Sequence, residues 1–390
     1  MIPPAHGGRL VDRQVPPDQV ERRLSELARA PRLRPSIDEL YDLEKIGVGA
    51  YSPLEGFLRS AELQSVERDG RLGNELPWTI PILLAPPGPA NLRVVESARL
   101  GDELALEDPQ GRVVGAIRVE EKYAYDRGEL ARSIYGTTDP DHPNVGDLAQ
   151  WGDTCVAGPI ELVQRLTLPG GRFELTPSET RELFRSKGWS TVAAYQCRNP
   201  PHVAHEYLQR VTLEREDVDG LLIHPVVGRL KVGDYRPEVI LAAYEALVRN
   251  YYSPNRVVLS ALSIAMRYAG PKAALFLAIV RKNYGCSHYI IGRDQAGVGS
   301  YYDPYAAHRV FDAYDIGVVP LRYEESFYCR RCGQTTSVRS CPHPASDRLD
   351  TSQTRIRKLL TEGAELPSEL LRPEVAAILR APDVIIRANP

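Results

Sequence analysis

Short apolar runs separated by Gly, Pro and Asp fill the chain from its N-terminus to about residue 165. This pattern is typical of strands joined by turns. Strands are predicted at residues 78–84, 103–107 and 113–119. One helix is predicted before them, at residues 18–30, because apolar side chains recur there at helical spacing. We therefore expect a β-rich N-terminal domain over residues 1–165.

The pattern changes after residue 165, where strand-like apolar runs alternate with longer runs of helical period. The predicted strands are residues 191–196, 219–227, 257–261, 288–291 and 316–321. The predicted helices are residues 202–214, 237–250, 271–284 and 305–314. Such alternation indicates a parallel, doubly wound α/β sheet over residues 166–323. The remaining residues, 324–390, are predicted to form a small C-terminal α/β domain.

Residues 191–210, TVAAYQCRNPPHVAHEYLQR, combine a strand, a turn and the start of a helix. Two prolines end the strand and suit a first helical turn, where a missing N–H costs nothing. His202 and His205 are three residues apart, so both imidazoles are predicted on one helix face. Free N–H groups and the helix dipole favour phosphate there. A histidine at a helix start is often only a capping or surface residue, but a Gln, an Arg and an Asn just before this pair favour a polyanion site.

Polar clusters follow three of the predicted strands, at residues 196–199, 224–234 and 292–300. Ligands of doubly wound sheets bind beyond the carboxyl ends of the strands, so we expect these clusters to meet at one sheet edge. The third cluster, IGRDQAGVGS, lacks the G-x-G-x-x-G spacing of a dinucleotide-binding turn. It suits either a flexible turn or close approach of the backbone to a nucleotide. The P-loop motif G-x-x-x-x-G-K-[ST] is absent from the sequence, so ATP binding requires another geometry.

Composition narrows the class of protein. A length of 390 residues suggests two or three domains, and a formal net charge of −3 does not imply a broad nucleic-acid surface. The sequence has no apolar run of 18 residues, and MIPPAHGGRLVDR lacks a hydrophobic signal core. These features predict a soluble cytoplasmic protein without membrane or nucleic-acid partners.

Three of the six cysteines cluster with a histidine as Cys329, Cys332, Cys341 and His343. The arrangement C-x2-C, eight residues, then C-x-H suits a tetrahedral structural Zn²⁺ with no open position. Unligated thiols or a disulfide between the first two cysteines are the alternatives. His343 is the least secure ligand, because only Pro342 separates it from the last cysteine.

Several motifs occur together and in order over nearly the whole chain. They are HGGRLVDR, SPLEGF, GTTDPDHPNV, QCRNPPHVAHE, LIHPVVGRLKVGD, MRYAGPKAALFLAIVRKNYGCSHYIIGRDQAGVGSYYD and RPEVAAIL. In these motifs the chain resembles the ATP sulfurylase (sulfate adenylyltransferase) family. The resemblance implies a PUA-like N-terminal domain, a Rossmann-like nucleotidyltransferase catalytic domain and, as in some bacterial and archaeal members, a zinc-bearing C-terminal segment.

The resemblance also implies a reaction in which ATP and sulfate give adenosine 5′-phosphosulfate and diphosphate. A sulfate oxygen attacks the α-phosphorus in line, without a covalent enzyme intermediate, and Mg²⁺ accompanies ATP. The expected catalytic residues are Cys197, Arg198, Asn199, His202 and His205. The expected ATP and sulfate ligands are Gln196, Arg198, Asn199, His224, Gly292, Arg293, Asp294, Gln295 and Ala296. Family members are commonly homo-oligomers, and we expect a homodimer.

The chain departs from the family pattern at three positions. Cys197 stands where many relatives have Thr, and because a thiol is a weak donor we expect this position to act through its backbone. Gln295 replaces the His of Gly-Arg-Asp-His, which keeps a donor but removes a protonatable group. Gln353 replaces the Gly of Ser-Gly-Thr, and we expect it to affect the C-terminal piece rather than the core chemistry.

Two other functions remain as alternatives. One is a nucleotidyltransferase with the same histidine pair but another acceptor. The other is an RNA-binding protein, since PUA-like domains and Cys/His zinc loops often contact RNA, although the lack of a basic stripe disfavours it.

Overall fold

Six strands of the N-terminal region form one sheet in the computed structural model, which describes residues 2–229 and 232–386. They are β1 (Arg32–Leu33), β2 (Gly56–Phe57), β3 (Glu103–Glu107), β4 (Val113–Arg118), β5 (Glu121–Ala124) and β6 (Thr154–Leu162). The order is β1-β3-β4-β6-β2, and β5 also pairs with β6. Two of the predicted strands are present as β3 and β4, which pair antiparallel.

The N-terminal region contains more helix than the single segment predicted from sequence. A 3₁₀ turn (Pro17–Gln19) leads into α1 (Val20–Leu27), followed by α2 (Ile37–Gly47), α3 (Ser60–Asp69), α4 (Pro89–Ser97), α5 (Arg127–Leu130) with a π-helical extension (Ala131–Tyr135), and α6 (Pro143–Leu148). The start of α2 carries a capping box, because Ser36 and Glu39 each accept a backbone N–H of the other. This S-x-x-E signal was present in the sequence.

Residues 78–84 do not form the predicted strand. Trp78, Ile80, Ile82 and Leu84 are buried, yet the segment carries no strand pairing. Pro81 within it has no N–H to donate, which disfavours a regular ladder. Instead, the carbonyls of Ile82 and Leu84 each accept one backbone hydrogen bond, from residues 58 and 156 respectively. The segment is a buried extended connection.

A five-stranded parallel sheet follows, as predicted. Its strands are β7 (Val192–Cys197), β8 (Gly220–Pro225), β9 (Val257–Leu259), β10 (His288–Ile291) and β11 (Val319–Arg322), in the order β11-β10-β7-β8-β9. The associated helices are α7 (Pro177–Ser186), α8 (Val203–Leu213), α9 (Pro237–Tyr251), α10 (Pro271–Asn283) and α11 (Ala306–Ala313). The helix α7 was not predicted, although its capping box of Thr176 and Glu179 is again visible as T-x-x-E.

The two faces of the parallel sheet are buried against different partners. Alternation along β7 sends Ala194 to a core shared with the N-terminal region and α10, while Tyr195 joins a core with α8 and α9. Both faces of the sheet are therefore covered by apolar side chains. This explains why its strands are continuous apolar runs in the sequence.

The C-terminal segment adds a three-stranded sheet and two helices. They are β12 (Ser326–Cys329), β13 (Gln334–Ser337), β14 (Arg348–Leu349), α12 (Gln353–Thr361) and α13 (Pro373–Leu379). Ile356, Leu370 and Leu371 are buried in the core that covers the α8 and α9 face of the parallel sheet. Across residues 2–229 and 232–386, no helix has both the length and the apolar content needed to cross a bilayer.

Candidate active site

A cleft of about 740 Å³ opens at the carboxyl ends of β7 and β10. The strand order reverses between these neighbours, because β8 and β9 continue on one side and β11 on the other. Such a switch point leaves a crevice between the loops that leave the two strands. The lining residues come from four segments, 195–208, 292–297, 324–327 and 348–353, together with Met266.

The two histidines stack on each other at the start of α8. His202 is the N-cap residue, and its ring lies 3.7 Å from the ring of His205, centroid to centroid, with an angle of 26° between the planes. Both rings line the cleft. The predicted common face is therefore confirmed, and it presents two imidazoles where the helix dipole is positive.

Both imidazoles are neutral at physiological pH. Burial, with a further contribution from His205, holds the pKa of His202 well below its usual range. Burial alone lowers the pKa of His205 to about 4. The Nδ1 atom of each ring is buried and has no hydrogen-bond partner within the described residues. Because buried polar atoms are normally hydrogen-bonded, these two atoms are free to bind a ligand or a water molecule.

Arg198 is held against the ring of a tyrosine. Its guanidinium lies 4.8 Å from the ring centroid of Tyr268, and Nη1 donates a hydrogen bond to the Tyr268 hydroxyl. Tyr268 is itself mostly buried. A planar guanidinium held in this way keeps further N–H groups in a fixed fork, which matches a tetrahedral oxyanion.

Two glutamines join the loops of the neighbouring strands. Gln295 Nε2 donates to Gln196 Oε1 and, at 3.2 Å, to the Tyr289 hydroxyl. Because Gln196 uses its oxygen in this contact, its own NH₂ group remains a donor for a ligand in the cleft. The replacement of His by Gln295 thus retains a neutral donor that connects the two halves of the site.

The run 292–297 turns sharply at the cleft. Asp294 and Ala296 have φ values of 54° and 59°, in the left-handed region that Ala rarely adopts. The turn is held by hydrogen bonds from Asp294 N to Pro304 O, 2.7 Å, and from Gly270 N to Ala296 O, 3.2 Å. Strained backbone of this kind concentrates at ligand sites. Gly292 and Arg293 also line the cleft.

Cys197 belongs to the wall of the cleft but its side chain packs into the core. It is 7 % exposed and clusters with Tyr195 on the α8 and α9 face of the sheet. Burial raises the pKa of its thiol to about 12, so the thiol stays protonated. A protonated, buried thiol is neither a nucleophile nor a good donor.

His224 does not line the cleft, so the structure does not bring this predicted substrate ligand together with the other site residues. It is fully buried, its Nε2 lies 3.1 Å from Ala261 O, and its ring packs edge-on against Tyr284. β8 is separated from the switch point by β7, which is why the cluster at residues 224–234 is absent from the lining. Leu230 and Lys231 of that cluster lie outside the described residues.

The C-terminal segment forms a wall of the cleft that sequence reasoning missed. Its lining residues are Glu324, Glu325, Ser326, Phe327, Arg348, Leu349, Asp350, Thr351, Ser352 and Gln353. Gln353 Nε2 donates to Pro200 O at 2.9 Å, next to the histidine helix. Gln353 therefore contacts the turn before α8 as well as its own segment, a contact that the sequence did not predict. The Ser352 cap before α12 was the one local signal of this wall.

The four predicted metal ligands form one compact cluster. Their ligand atoms all lie within 4.8 Å of one another. His343 Nδ1 is 3.4, 3.3 and 3.7 Å from the sulfurs of Cys329, Cys332 and Cys341. Tetrahedral zinc, with bonds of about 2.3 Å to sulfur and about 2.0 Å to nitrogen, places its ligand atoms roughly 3.5–3.8 Å apart. The cluster fits a four-ligand metal, with His343 as the fourth ligand.

The cluster of three cysteines and His343 lies next to α8, the helix that begins after His202. Cys329 ends β12, which packs on α8, and Ser326 Oγ of the same strand donates to Ala204 O at 3.2 Å. Ser326 and Phe327 line the cleft. A bound metal would therefore stiffen one wall of the site without touching a ligand in it.

Comparison with known proteins places this site in a family. Residues 171–381 match the ATP-sulfurylase family model and residues 3–165 match that of the PUA-like domain. The chain is 46% identical over 377 residues to the sulfate adenylyltransferase of Symbiobacterium thermophilum, covering 96% of this chain and 94% of that protein. It is 44% identical over 392 residues to the sulfate adenylyltransferase of Hyperthermus butylicus, covering 100% and 99%.

A solved structure agrees with these matches. The hexameric APS kinase from Thiobacillus denitrificans is similar with a TM-score of 0.77 and 27% identity, over 97% of this chain and 68% of that one. The PUA-like and Rossmann-like parts expected from the sequence are thus both shown. The chain belongs to the ATP-sulfurylase family.

Proposed function

We propose that the chain is a sulfate adenylyltransferase, which converts ATP and sulfate into adenosine 5′-phosphosulfate and diphosphate. One sulfate oxygen forms a bond to the α-phosphorus as the bond from that phosphorus to the bridging oxygen of the β-phosphate breaks. The electron pair of the broken bond leaves with diphosphate, so the step needs no oxidant, reductant or proton. Mg²⁺ enters with ATP as part of the substrate.

The observation that carries this proposal is the meeting of donors in one cleft. Arg198, Gln196 and the stacked histidines all face the crevice between β7 and β10. The proposed reaction needs no nucleophile from the protein. Each of these groups can donate hydrogen bonds to an oxyanion. A reaction between two anions depends mainly on such positioning and charge stabilisation.

Each donor group has a separate proposed role. Gln196, Arg198 and the backbone of Ala296 hold sulfate. Asn199, His202 and His205 donate to the phosphates of ATP as negative charge moves toward diphosphate. The run from Gly292 to Gln295 holds the rest of the nucleotide.

Release of diphosphate from ATP tests the proposal. We expect release only when sulfate is present, and we expect ATP formation when adenosine phosphosulfate and diphosphate are supplied. Replacing sulfate by other acceptors tests for another nucleotidyltransferase, and adding RNA tests for an RNA-binding protein. Release that needs a different acceptor, or no release at all, would contradict the proposed function.

We expect Cys197→Ser to keep its turnover within about threefold of the parent. Because the Cys197 side chain packs into the core, only its backbone is proposed to serve the site. The buried hydroxyl is expected to lower stability by about 1–3 kcal/mol. Steady-state kinetics and thermal melting of Cys197→Ser check both statements. An inactive but well-folded variant would show that the thiol takes part in the chemistry.

We also propose that Cys329, Cys332, Cys341 and His343 bind one structural Zn²⁺. Three cysteines and one histidine are ligands that zinc prefers, and with four protein ligands no position is left for substrate. The metal would fix the loop between β12 and β13. The chemistry in the cleft would then proceed on the protein's own side chains.

Removing this metal should lower the melting temperature before it changes turnover. The reason is that the metal would join the ends of β12 and β13, which pack on α8, whereas none of the four predicted metal ligands lines the cleft. Elemental analysis should find one zinc per chain, lost in Cys332→Ser and kept in the neighbouring control Ser340→Ala. Loss of activity on chelation with no shift in melting would contradict a structural role.

The oligomeric state, the cellular location and the domain bounds are also proposals. We propose a homodimer in the cytoplasm, with domains at residues 1–165, 166–323 and 324–390. None of the six cysteines, all of which lie within the described residues, forms a disulfide, and this suits a reducing compartment. Light scattering of the purified protein measures the dimer directly.

A further inference from the structure

Arg357 of α12 reaches across to the loop between β7 and α8, residues 198–202, which we call the substrate loop, and binds Asn199. Its Nη2 donates to Asn199 Oδ1 at 2.8 Å. The two residues are 158 positions apart in the sequence, so only the packing of the C-terminal segment brings them together. Arg357 forms no ion pair within the described residues.

A guanidinium has only donors, so it dictates how the amide is turned. Asn199 can meet Arg357 only with its oxygen. Its NH₂ group then points away from Arg357 and remains a donor, and Asn199 is part of the cleft wall. Without Arg357, rotation of the amide by half a turn would present the oxygen, which repels phosphate oxygens.

Arg357 is itself held rigidly. Its guanidinium lies 5.0 Å from the ring centroid of Tyr235, which is 1% exposed. On the same helix Ile356 is fully buried, and Gln353 is bound to the carbonyl of Pro200. These contacts hold α12 against the substrate loop, so the Arg357 side chain loses little conformational freedom when it binds Asn199.

We propose that Arg357 is a positioning residue, which orients the Asn199 amide so that it donates to the phosphates of ATP. This inference rests on the proposed function of the cleft. Arg357 acts through Asn199 and makes no contact with the nucleotide itself. The C-terminal segment thereby contributes to catalysis through one hydrogen bond.

A double-mutant cycle separates this role from direct phosphate binding. Asn199→Ala should lower kcat/KM for ATP by about 10²-fold. Arg357→Met should lower it by roughly ten- to thirtyfold, the lower part of the range of about 10–100-fold found for residues that orient metal ligands. Arg357→Lys, which still has only donors, should recover part of that loss. The double variant should match Asn199→Ala within about twofold, because Arg357 has nothing left to orient.

Control variants distinguish a failure of the positioning role from a failure of the proposed function. Lys358→Met on the exposed face of α12 should keep the parent kinetics, and melting curves show whether Arg357→Met is folded. Multiplied losses in the double variant, on the order of 10³-fold, would overturn the positioning role. So would an Arg357→Met variant with unchanged kinetics. A parent enzyme without sulfate-dependent diphosphate release would instead refute the proposed function.

Discussion

His202→Ala and His205→Ala should each lose about 10²–10³-fold in turnover while keeping the fold, the scale of one lost transition-state donor. Both rings line the cleft at the positive end of α8. Because burial keeps their pKa values low, we expect them to act as neutral hydrogen-bond donors rather than as fixed charges. The loss should therefore fall on kcat more than on the binding of ATP.

Single-turnover and steady-state measurements with saturating ATP and sulfate check this result. His205→Gln is the matched control, because its amide can place a neutral donor near the position of Nε2. It should retain more turnover than His205→Ala if donation is the role of the ring. Near-normal turnover in both alanine variants would remove the pair from the mechanism, and a collapsed melting temperature would point to packing instead.

Arg198→Lys should raise the KM for sulfate by roughly 10–100-fold, the loss expected when one charge-assisted hydrogen bond worth about 1.5–3 kcal/mol disappears. The guanidinium is held on the Tyr268 ring and by its hydroxyl, so its remaining N–H groups have a fixed direction. A lysine keeps the charge but offers a single mobile point instead of a planar fork.

Initial rates at varied sulfate and fixed ATP measure the effect. Arg172→Lys is the control, since Arg172 forms an exposed ion pair with Glu245 on the surface. That variant should keep the parent sulfate dependence. An Arg198→Lys enzyme with the same sulfate dependence would show that the oxyanion is held by other groups.

Local patterns predicted the parallel sheet well because its elements have strong local signals. The strand at residues 288–291 has the predicted bounds, and α9 and α10 agree with prediction to within one residue at each end. Pro237 and Pro271 mark the first turns of these helices. The spacing of His202 and His205 likewise required only the period of a helix.

The N-terminal region was predicted less well for an equally local reason. Frequent turn residues favour strands there, whereas the capping box at Ser36 is a short signal that starts the helix α2. The apolar residues 78–84 carry the composition of a strand but have no partner strand. An apolar composition indicates that a segment is buried, whereas strand pairing depends on whether another strand lies beside it in the fold.

The sequence by itself determined the alternation of strands and helices in the parallel sheet, the common face of the two histidines, and the cluster of three cysteines and one histidine, because each depends on residues close together in the chain. Only the tertiary structure decided that His224 is buried while Gln353 and Arg357 reach the substrate loop. Those outcomes depend on strand order and on the burial of Ile356 and Leu370 against the sheet, which join segments more than 150 residues apart. Short-range periodicity carries no information about contacts over such separations.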